Sequence, residues 1–222
     1  MPEPNNNEDN KKHITSVPPG WLLKVQKYSA LTFSAFFGLH SLAVVVSPAV
    51  LGIETAGSVN QLANGIYQTP VLEPILLGAV SVHVMAGVGV RWWRAEMGRP
   101  NPLALAGWGL VPLVGAHFTI FRALPAKILG DSSLVTFEYV THVLRRGGIG
   151  QWFLAIPLLV LSSYHVFVGL KRYFPRLAMT YSKKTTNLAV MGFSLLGVTS
   201  LVRIALQSEA VGWVAKQYRL VI

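Results

Sequence analysis

The sequence contains no cysteine, and charged residues make up only 13% of its 222 positions. Without cysteine there is no disulfide framework, no thiolate zinc site, no iron–sulfur cluster and no cysteine nucleophile. A typical soluble domain carries about 25% charged residues, so solvated side chains are about half as frequent as usual. Hydrophobic residues instead make up 52% of the chain. This combination excludes disorder and predicts a membrane protein.

Acidic residues are also scarce: 9 Asp and Glu stand against 19 Lys and Arg, for a formal net charge of +10. The basic residues lie between apolar runs, which favours contact with membrane lipids over nucleic-acid binding, and no nucleic-acid partner is expected. No Asp or Glu falls inside an apolar run, so a carboxylate proton relay is not expected. Phosphate-binding loops and hydrolase motifs are missing from the sequence as well. We therefore expect a protein that is not an enzyme.

Five apolar runs approach the length of about 20 residues that a helix needs to cross a bilayer. They cover residues 28–50, 74–94, 106–124, 151–172 and 186–207. The expected organisation is a disordered polar tail over residues 1–20, a transmembrane domain over residues 21–210 and a short C-terminal tail over residues 211–222. The distribution of Lys and Arg predicts that the N-terminus lies on the positive, cytosol-like side.

The sequence also predicts where the first run begins, where the third run ends and what lies between the third and fourth runs. Trp21–Lys27 is expected to be an interfacial lead-in to the first run, and Pro125 to end the third run. Between the third and fourth runs, apolar residues recur at helical spacing and predict a helix lying in the interface plane. These residues are Leu134, Phe137, Val140 and Leu144.

The first four runs repeat as two tandem helical hairpins. Ser81-Val-His83-Val-Met-Ala-Gly87 aligns with Ser163-Tyr-His165-Val-Phe-Val-Gly169. Gly38-Leu-His40 followed by Pro48 aligns with Gly115-Ala-His117 followed by Pro125. Both hairpins start on the same side, so a pseudo-two-fold axis along the membrane normal is predicted. The expected fold is all-α: a duplicated hairpin forming a four-helix bundle, plus a fifth transmembrane helix.

Each of the first four runs contains one histidine: His40, His83, His117 and His165. Ionisable residues inside a membrane are usually functional, although such histidines also form hydrogen bonds between helices. The repeat pairs His83 with His165 and His40 with His117. Low-spin haem takes two axial nitrogens, so these pairs predict one or two b haems. The alternatives are structural histidines, or a single metal site that requires all four rings to converge.

Glycines accompany these histidines at fixed positions. Gly87 and Gly169 lie four residues after a histidine, on the same helical face, and would leave room for a flat macrocycle. Gly38 and Gly115 lie two residues before a histidine, point away from it and are expected to permit close helix packing.

Basic residues follow the second and fourth histidines. Arg91 and either Lys171 or Arg172 are candidates for binding haem propionates, and contact with lipid headgroups is the alternative. The two remaining histidines, His13 and His142, are expected to be solvated.

The arrangement of four histidines in five helices resembles the dihaem cytochrome b subunits of succinate dehydrogenases and fumarate reductases. In that family one histidine on each of the first four helices ligates two b haems, and the four membrane histidines match these positions in order. The resemblance implies a cytochrome b-like core with haem b as cofactor. It also implies an alternative function, as an electron-transfer subunit of a quinone oxidoreductase.

A second resemblance rests on local sequence over about residues 28–207. It is carried by Ile66-Tyr67-Gln68-Thr69-Pro70-Val-Leu-Glu73-Pro74, then by His83-Val-Met-Ala-Gly87 with Arg91, and later by Tyr164-His165 with Gly169. These motifs resemble the fungal mitochondrial outer-membrane adaptor family, whose transmembrane domain has five helices. The resemblance implies a multi-pass outer-membrane protein of lipid homeostasis and membrane contact sites.

Members of the adaptor family recruit a bridge-like lipid-transfer protein of the vacuolar sorting class. They present a Pro-x-Pro motif in the N-terminal tail for this purpose, and Pro2-Glu3-Pro4 is the only such motif here. The alternative is that this motif reflects tail composition alone. A third interpretation of the whole chain is a scramblase-like or purely structural bundle without a cofactor.

Overall fold

A computed structural model describes residues 17–94, 101–130, 135–174 and 182–221, and within these ranges the chain is helical and has no strand. In chain order the helices are α1 (Gly20–Val50), α2 (Ile53–Tyr67), α3 (Leu72–Trp93), α4 (Pro102–Leu129), α5 (Phe137–Arg146), α6 (Gly148–Tyr173), α7 (Lys183–Leu206) and α8 (Gly212–Val221). In this part of the chain α1, α3, α4, α6 and α7 are the 5 helices that are long and apolar enough to cross a membrane. The predicted all-α fold with five transmembrane helices is confirmed.

The apolar side chains of the long helices face outwards to a large extent. Exposed large residues occur along all of them, including Leu42, Met85, Trp108, Val160 and Leu195. A soluble protein rarely exposes apolar surface on this scale. The outer surface of the molecule therefore fits a hydrocarbon environment.

The helix boundaries extend one expectation and correct another. Trp21–Lys27 is helical and continuous with the first apolar run in α1, which begins at Gly20, and its place at the membrane interface stays a prediction. Pro125 does not end the third span, because α4 continues to Leu129. A π-helical turn, Thr119–Ala123, directly precedes this proline segment and lets the helix continue.

The same distortion occurs in α1, where the π-helical turn Leu42–Val46 precedes Pro48. Proline has no N–H, and its ring crowds the carbonyl four residues earlier, so an ordinary α-helix bends or breaks there. A π-helical turn relieves this crowding. Each turn begins two residues after a histidine, His40 or His117, so the repeat includes the distortion as well as the sequence.

Hydroxyl groups from other helices bind carbonyls in both π-helical turns. Ser200 Oγ of α7 donates to Val44 O at 2.7 Å, and Val44 is the residue four positions before Pro48. Tyr139 OH of α5 donates to Ile120 O at 2.9 Å. A hydrogen bond of this kind contributes about 1 kcal/mol net, and more where the acceptor would otherwise be buried without a partner. The distorted turns are therefore docking points for α7 and α5.

The long helices form two hairpins with few backbone contacts between them. The helix α1 packs along α3, and α4 packs along α6, whereas close backbone approaches between the two pairs are sparse in the described residues. The helix α7 packs against α6, α5 and the C-terminal part of α1. The boundary between the two hairpins, called the slot below, is bridged by side chains, including those of Glu73 and Arg122.

Arginines cap the C-terminal ends of two long helices. Arg203 of α7 donates to Pro48 O at 3.0 Å and to Ala49 O at 2.8 Å, at the end of α1. Arg145 of α5 donates to Ala205 O at 2.9 Å, at the end of α7. The last carbonyls of a helix have no partner within it and carry partial negative charge, so cations there are stabilising.

The amphipathic segment between the third and fourth spans is a helix, α5, but it is covered by protein. Phe137 packs with Ala56 and Ile204, and Tyr139 packs with Tyr218 of α8. Protein therefore covers the apolar face of α5, and the position of this helix in the interface plane stays a prediction; Leu134 lies outside the described residues. His142 is only 4% exposed, so its expected solvation is wrong. His13 lies outside the described residues.

Gly197 marks the closest approach of α7 to α6. A Cβ atom at this position would lie 2.5 Å from both methyl groups of Leu159. We expect Gly197→Ala to lower the free energy of unfolding by about 1–3 kcal/mol, because overpacking forces side chains off their rotamers. Denaturant unfolding of the purified protein in micelles measures the change.

The matched control for this substitution is Gly192→Ala in the same helix, where a Cβ atom would meet no atom within 4 Å. This variant should be neutral or slightly more stable, since alanine favours helix by about 0.5–1 kcal/mol over glycine. Gly197→Ala combined with Leu159→Ala should cost less than the sum of the two single substitutions, because the smaller side chain leaves room for the new methyl group. Equal stabilities of the two glycine variants would contradict the close approach.

Candidate functional site

The four membrane histidines meet in two pairs across the slot between the hairpins. The ring centroids of His40 and His117 lie 6.0 Å apart, and those of His83 and His165 lie 6.1 Å apart. The rings within each pair are nearly perpendicular, at 75° and 83°. In the described ranges no group of three or more His, Cys, Asp or Glu is placed to hold a metal ion. The geometry is therefore that of two separate pairs and not of one four-histidine site.

The spacing within each pair fits one metal atom between two imidazoles. A metal–nitrogen bond of about 2 Å on each side, plus about 1 Å from each nitrogen to its ring centre, gives about 6 Å between centroids. Both observed distances agree with this value. Binding of haem stays a prediction, but the residues present fit bis-histidine ligation.

Hydrogen bonds set the tautomer of His83 and His165. His83 Nδ1 lies 3.2 Å from Gln26 O, and His165 Nδ1 lies 3.1 Å from Leu103 O. A carbonyl oxygen only accepts, so Nδ1 carries the hydrogen and Nε2 presents its lone pair. This is the usual arrangement of a metal-ligating histidine. Gln26 and Leu103 occupy equivalent positions in the repeat, so both hairpins orient their histidine in the same way.

His40 reaches the same tautomer through a side chain. Tyr67 OH donates to Asn64 Oδ1 at 2.5 Å, and the phenol oxygen lies 3.2 Å from His40 Nδ1. Burial raises the pKa of Tyr67 to about 12, so the phenol keeps its proton at neutral pH. Phe36 stacks on the His40 ring with a centroid distance of 5.3 Å. The sequence analysis named Tyr67 only as part of a family motif and missed this contact and Asn64.

His117 is held by packing alone in the described part of the chain. Its ring contacts Phe121, one turn later in α4, with a centroid distance of 4.9 Å. No described residue forms a hydrogen bond with it. The pair formed by His40 and His117 is therefore asymmetric, while the other pair is symmetric.

The predicted glycines differ in their surroundings. A Cβ atom at Gly169 would meet no atom within 4 Å, so open space remains beside His165. A Cβ atom at Gly87 would lie 3.4 Å from Gln26 Nε2, in the same hairpin. At Gly38 and Gly115 a Cβ atom would also meet no atom within 4 Å, so the expectation that they permit close helix packing is wrong.

Gly107 is a site residue that the sequence analysis missed. A Cβ atom there would lie 3.0 Å from His165 Cε1 and 3.5 Å from His165 Nδ1. The His165 ring therefore rests directly on the backbone of α4. No sequence signal marked this glycine among the 20 in the chain.

The predicted propionate-binding residues lie at the ends of α3 and α6. Arg91 is half-buried in the last turn of α3, and Arg172 is exposed in the last turn of α6. Lys171 Nζ donates to Thr186 Oγ1 of α7 at 2.9 Å, so its contact is with a neighbouring helix. Propionate binding by Arg91 and by either Lys171 or Arg172 stays a prediction.

The motif between α2 and α3 joins the two hairpins. Arg122 in the π-helical turn of α4 donates to Glu73 through two nitrogens, Nε at 2.6 Å and Nη2, and Nη1 lies 3.5 Å from Gln68 Oε1. Thr69 Oγ1 accepts from Leu72 N at 3.1 Å and caps α3. A bidentate guanidinium–carboxylate pair fixes geometry as well as adding energy. Arg122 thus fixes the turn after His117 relative to the start of α3.

Comparison with known proteins identifies similar chains. The family model described as MDM10-complementing protein 1, transmembrane domain, matches residues 112–215. The mitochondrial adapter protein MCP1 of Saccharomyces cerevisiae is 24% identical over 258 residues, covering 91% of this chain and 83% of the yeast protein. No solved structure matches. The family match includes His117, His165 and α7.

Proposed function

We propose that this chain is a multi-pass mitochondrial membrane adaptor of the MCP1 family. The observation that carries the proposal is the similarity to the yeast adapter along 91% of the chain. The match of residues 112–215 to the family's transmembrane domain and the five long apolar helices agree with it. An adaptor needs a firm membrane anchor and an exposed docking segment, and no catalytic group.

The membrane in this proposal is the outer mitochondrial membrane, and the role is lipid homeostasis at contact sites. The docking segment is the N-terminal tail with Pro2-Glu3-Pro4, which captures a bridge-like lipid-transfer protein. This motif lies outside the described residues. The support from the structure is that the first transmembrane helix, α1, begins at Gly20, after the proposed docking segment in the chain. In general, recognition of proline-containing segments costs little conformational entropy, because proline restricts the backbone before binding.

The two histidine pairs are part of the proposal as sites for one or two b haems. Centroid distances of 6.0 and 6.1 Å support it, and so do the Nδ1 hydrogen bonds of His40, His83 and His165. A b haem bound there exchanges single electrons. The hydrogen bonds at Nδ1 of His40, His83 and His165 leave Nε2 of these three rings as the ligating nitrogen, whereas the His117 ring is held by packing against Phe121. Arg91 and Arg172 would neutralise the propionates.

Electron transfer to a quinone as the main function is not favoured. Only the two histidine pairs support electron transfer, whereas the family model and the similar yeast protein are both MCP1. A respiratory subunit should co-purify with a flavoprotein and an iron–sulfur protein. An adaptor should not.

The docking role is tested by replacing both prolines of the motif, Pro2→Ala with Pro4→Ala, in the full-length chain. We expect the labelled lipid-transfer protein to leave mitochondria, because the motif supplies the docking contacts. Fluorescence microscopy and co-precipitation measure recruitment. The matched control is Asn5→Ala with Asn6→Ala, which alters the same tail but keeps the motif. If the proline variant still recruited the lipid-transfer protein normally, the docking site would have to lie in another segment of the chain.

A further inference from the structure

The helix α2 folds back so that its last residue enters the side of the bundle. Tyr67 is 8% exposed and packs with Ala43 and Ala63, and Phe36 and Leu76 also contact this cluster. Its ring meets Phe36 edge-on with a centroid distance of 5.0 Å. Packing of the ring therefore holds the phenol oxygen beside His40 together with its hydrogen bonds.

The direction of the hydrogen bonds from Asn64 to His40 follows from the groups involved. The amide oxygen of Asn64 only accepts, so the Tyr67 hydroxyl hydrogen points to it, at 2.5 Å. The phenol oxygen then accepts from His40 Nδ1, at 3.2 Å. The Nε2 atom of His40 is left as a lone-pair nitrogen. The two side chains thus select the tautomer that can ligate iron.

The other membrane histidines lack a comparable side-chain partner in the described residues. His83 and His165 use backbone carbonyls, and His117 has only packing contacts. Backbone carbonyls remain when a side chain is replaced, whereas the phenol oxygen does not. Among the described residues, the Nδ1 partner of His40 is therefore the one that truncating a single side chain can remove.

We infer that Tyr67 and Asn64 are positioning residues for His40, which hold its ring and strengthen its Nε2 as an axial ligand of the haem bound with His117. This inference rests on the proposed haem. An acceptor on Nδ1–H increases the basicity of the ligating nitrogen, and loss of such partners typically lowers metal affinity about 10–100-fold. A more basic ligand favours ferric iron. The pair His40 and His117 should therefore have a lower midpoint potential with Tyr67 than without it.

The test is Tyr67→Phe in the purified full-length protein, which keeps the ring packing and removes only the hydroxyl. Haem content per chain, redox titration of the reduced-minus-oxidised spectrum and EPR of the ferric protein are measured. We expect one centre to shift to a higher midpoint potential and to lose haem affinity about tenfold, and the other centre to stay unchanged. The centre of His83 and His165 is the internal control.

Three further variants separate positioning from folding. Asn64→Leu frees the phenol hydrogen to turn towards His40 and should shift the same centre in the same direction. Asn64→Asp keeps an acceptor and should hold the potential at or below the wild-type value. Tyr218→Phe is the matched control, because it also deletes the hydroxyl of a buried tyrosine. That hydroxyl lies 3.1 Å from Thr136 Oγ1 and not beside a histidine pair, so this variant should change neither centre.

Each outcome decides the inference. A wild-type protein with haem and a Tyr67→Phe variant with both centres unchanged would overturn the role of Tyr67 and leave the haem proposal standing. Equal shifts of both centres would assign the effect to general loosening and also overturn it. A wild-type protein that binds no haem would overturn both proposals.

Discussion

Replacing either His83 or His165 with leucine should abolish the same haem centre and leave the other intact. His40→Leu and His117→Leu should each abolish the second centre. The reason is that a low-spin haem loses one of its two axial nitrogens in every case, and the members of each pair lie 6.1 or 6.0 Å apart. Spectra of the purified variants, with haem counted per chain, should show a fall from about two haems to about one.

The matched control for these variants is His13→Leu, which removes a histidine from the N-terminal tail and should leave both centres. Equal loss of both centres from every single variant would refute the pairing. A wild-type protein without a Soret band after haem-sufficient expression would refute haem binding itself.

Gly107→Ala should weaken the proposed haem binding at the centre of His83 and His165 by up to about tenfold. The new methyl group would lie 3.0 Å from His165 Cε1, so the ring must shift by a few tenths of an ångström, which weakens its hydrogen bond to Leu103 O. Haem titration of the apoprotein measures the affinity. Gly115→Ala in the same helix is the control, since its Cβ would meet no atom within 4 Å. Equal affinities in the two variants would contradict the contact of His165 with the α4 backbone.

The helices and the pairing of histidine rings follow from sequence patterns that act locally or by symmetry. A run of about 20 apolar residues has few structures available in a bilayer except a helix. A tandem repeat then brings equivalent residues to equivalent positions, which pairs His83 with His165. Neither step requires knowledge of a long-range side-chain contact.

The hydrogen-bond partners of the histidines could not be predicted in this way, because they depend on long-range contacts. Tyr67 and Asn64 reach His40 only because α2 folds back against α1, and no spacing in the sequence indicates that fold. The continuation of α4 past Pro125 depends on a π-helical turn whose Ile120 carbonyl is bound by Tyr139 of another helix. Such compensation comes from tertiary structure and is not visible in local propensity.

The helix α5 shows a third kind of difference. An amphipathic pattern requires an apolar neighbour but does not say whether lipid or protein provides it. Here α7 and α8 provide it, which buries Tyr139 and His142 together. The sequence therefore predicted the helix correctly but did not identify the protein neighbours that cover its apolar face.

The contacts of α7 with the end of α1 have a consequence for biosynthesis. Ser200 and Val44 are 156 positions apart, and Arg203 reaches Pro48 and Ala49 over a similar separation. The first span leaves the ribosome long before the groups that bind its carbonyls have been translated. Its C-terminal turns must therefore rely on temporary partners, such as water or lipid headgroups, until α7 has been synthesised and packs against them.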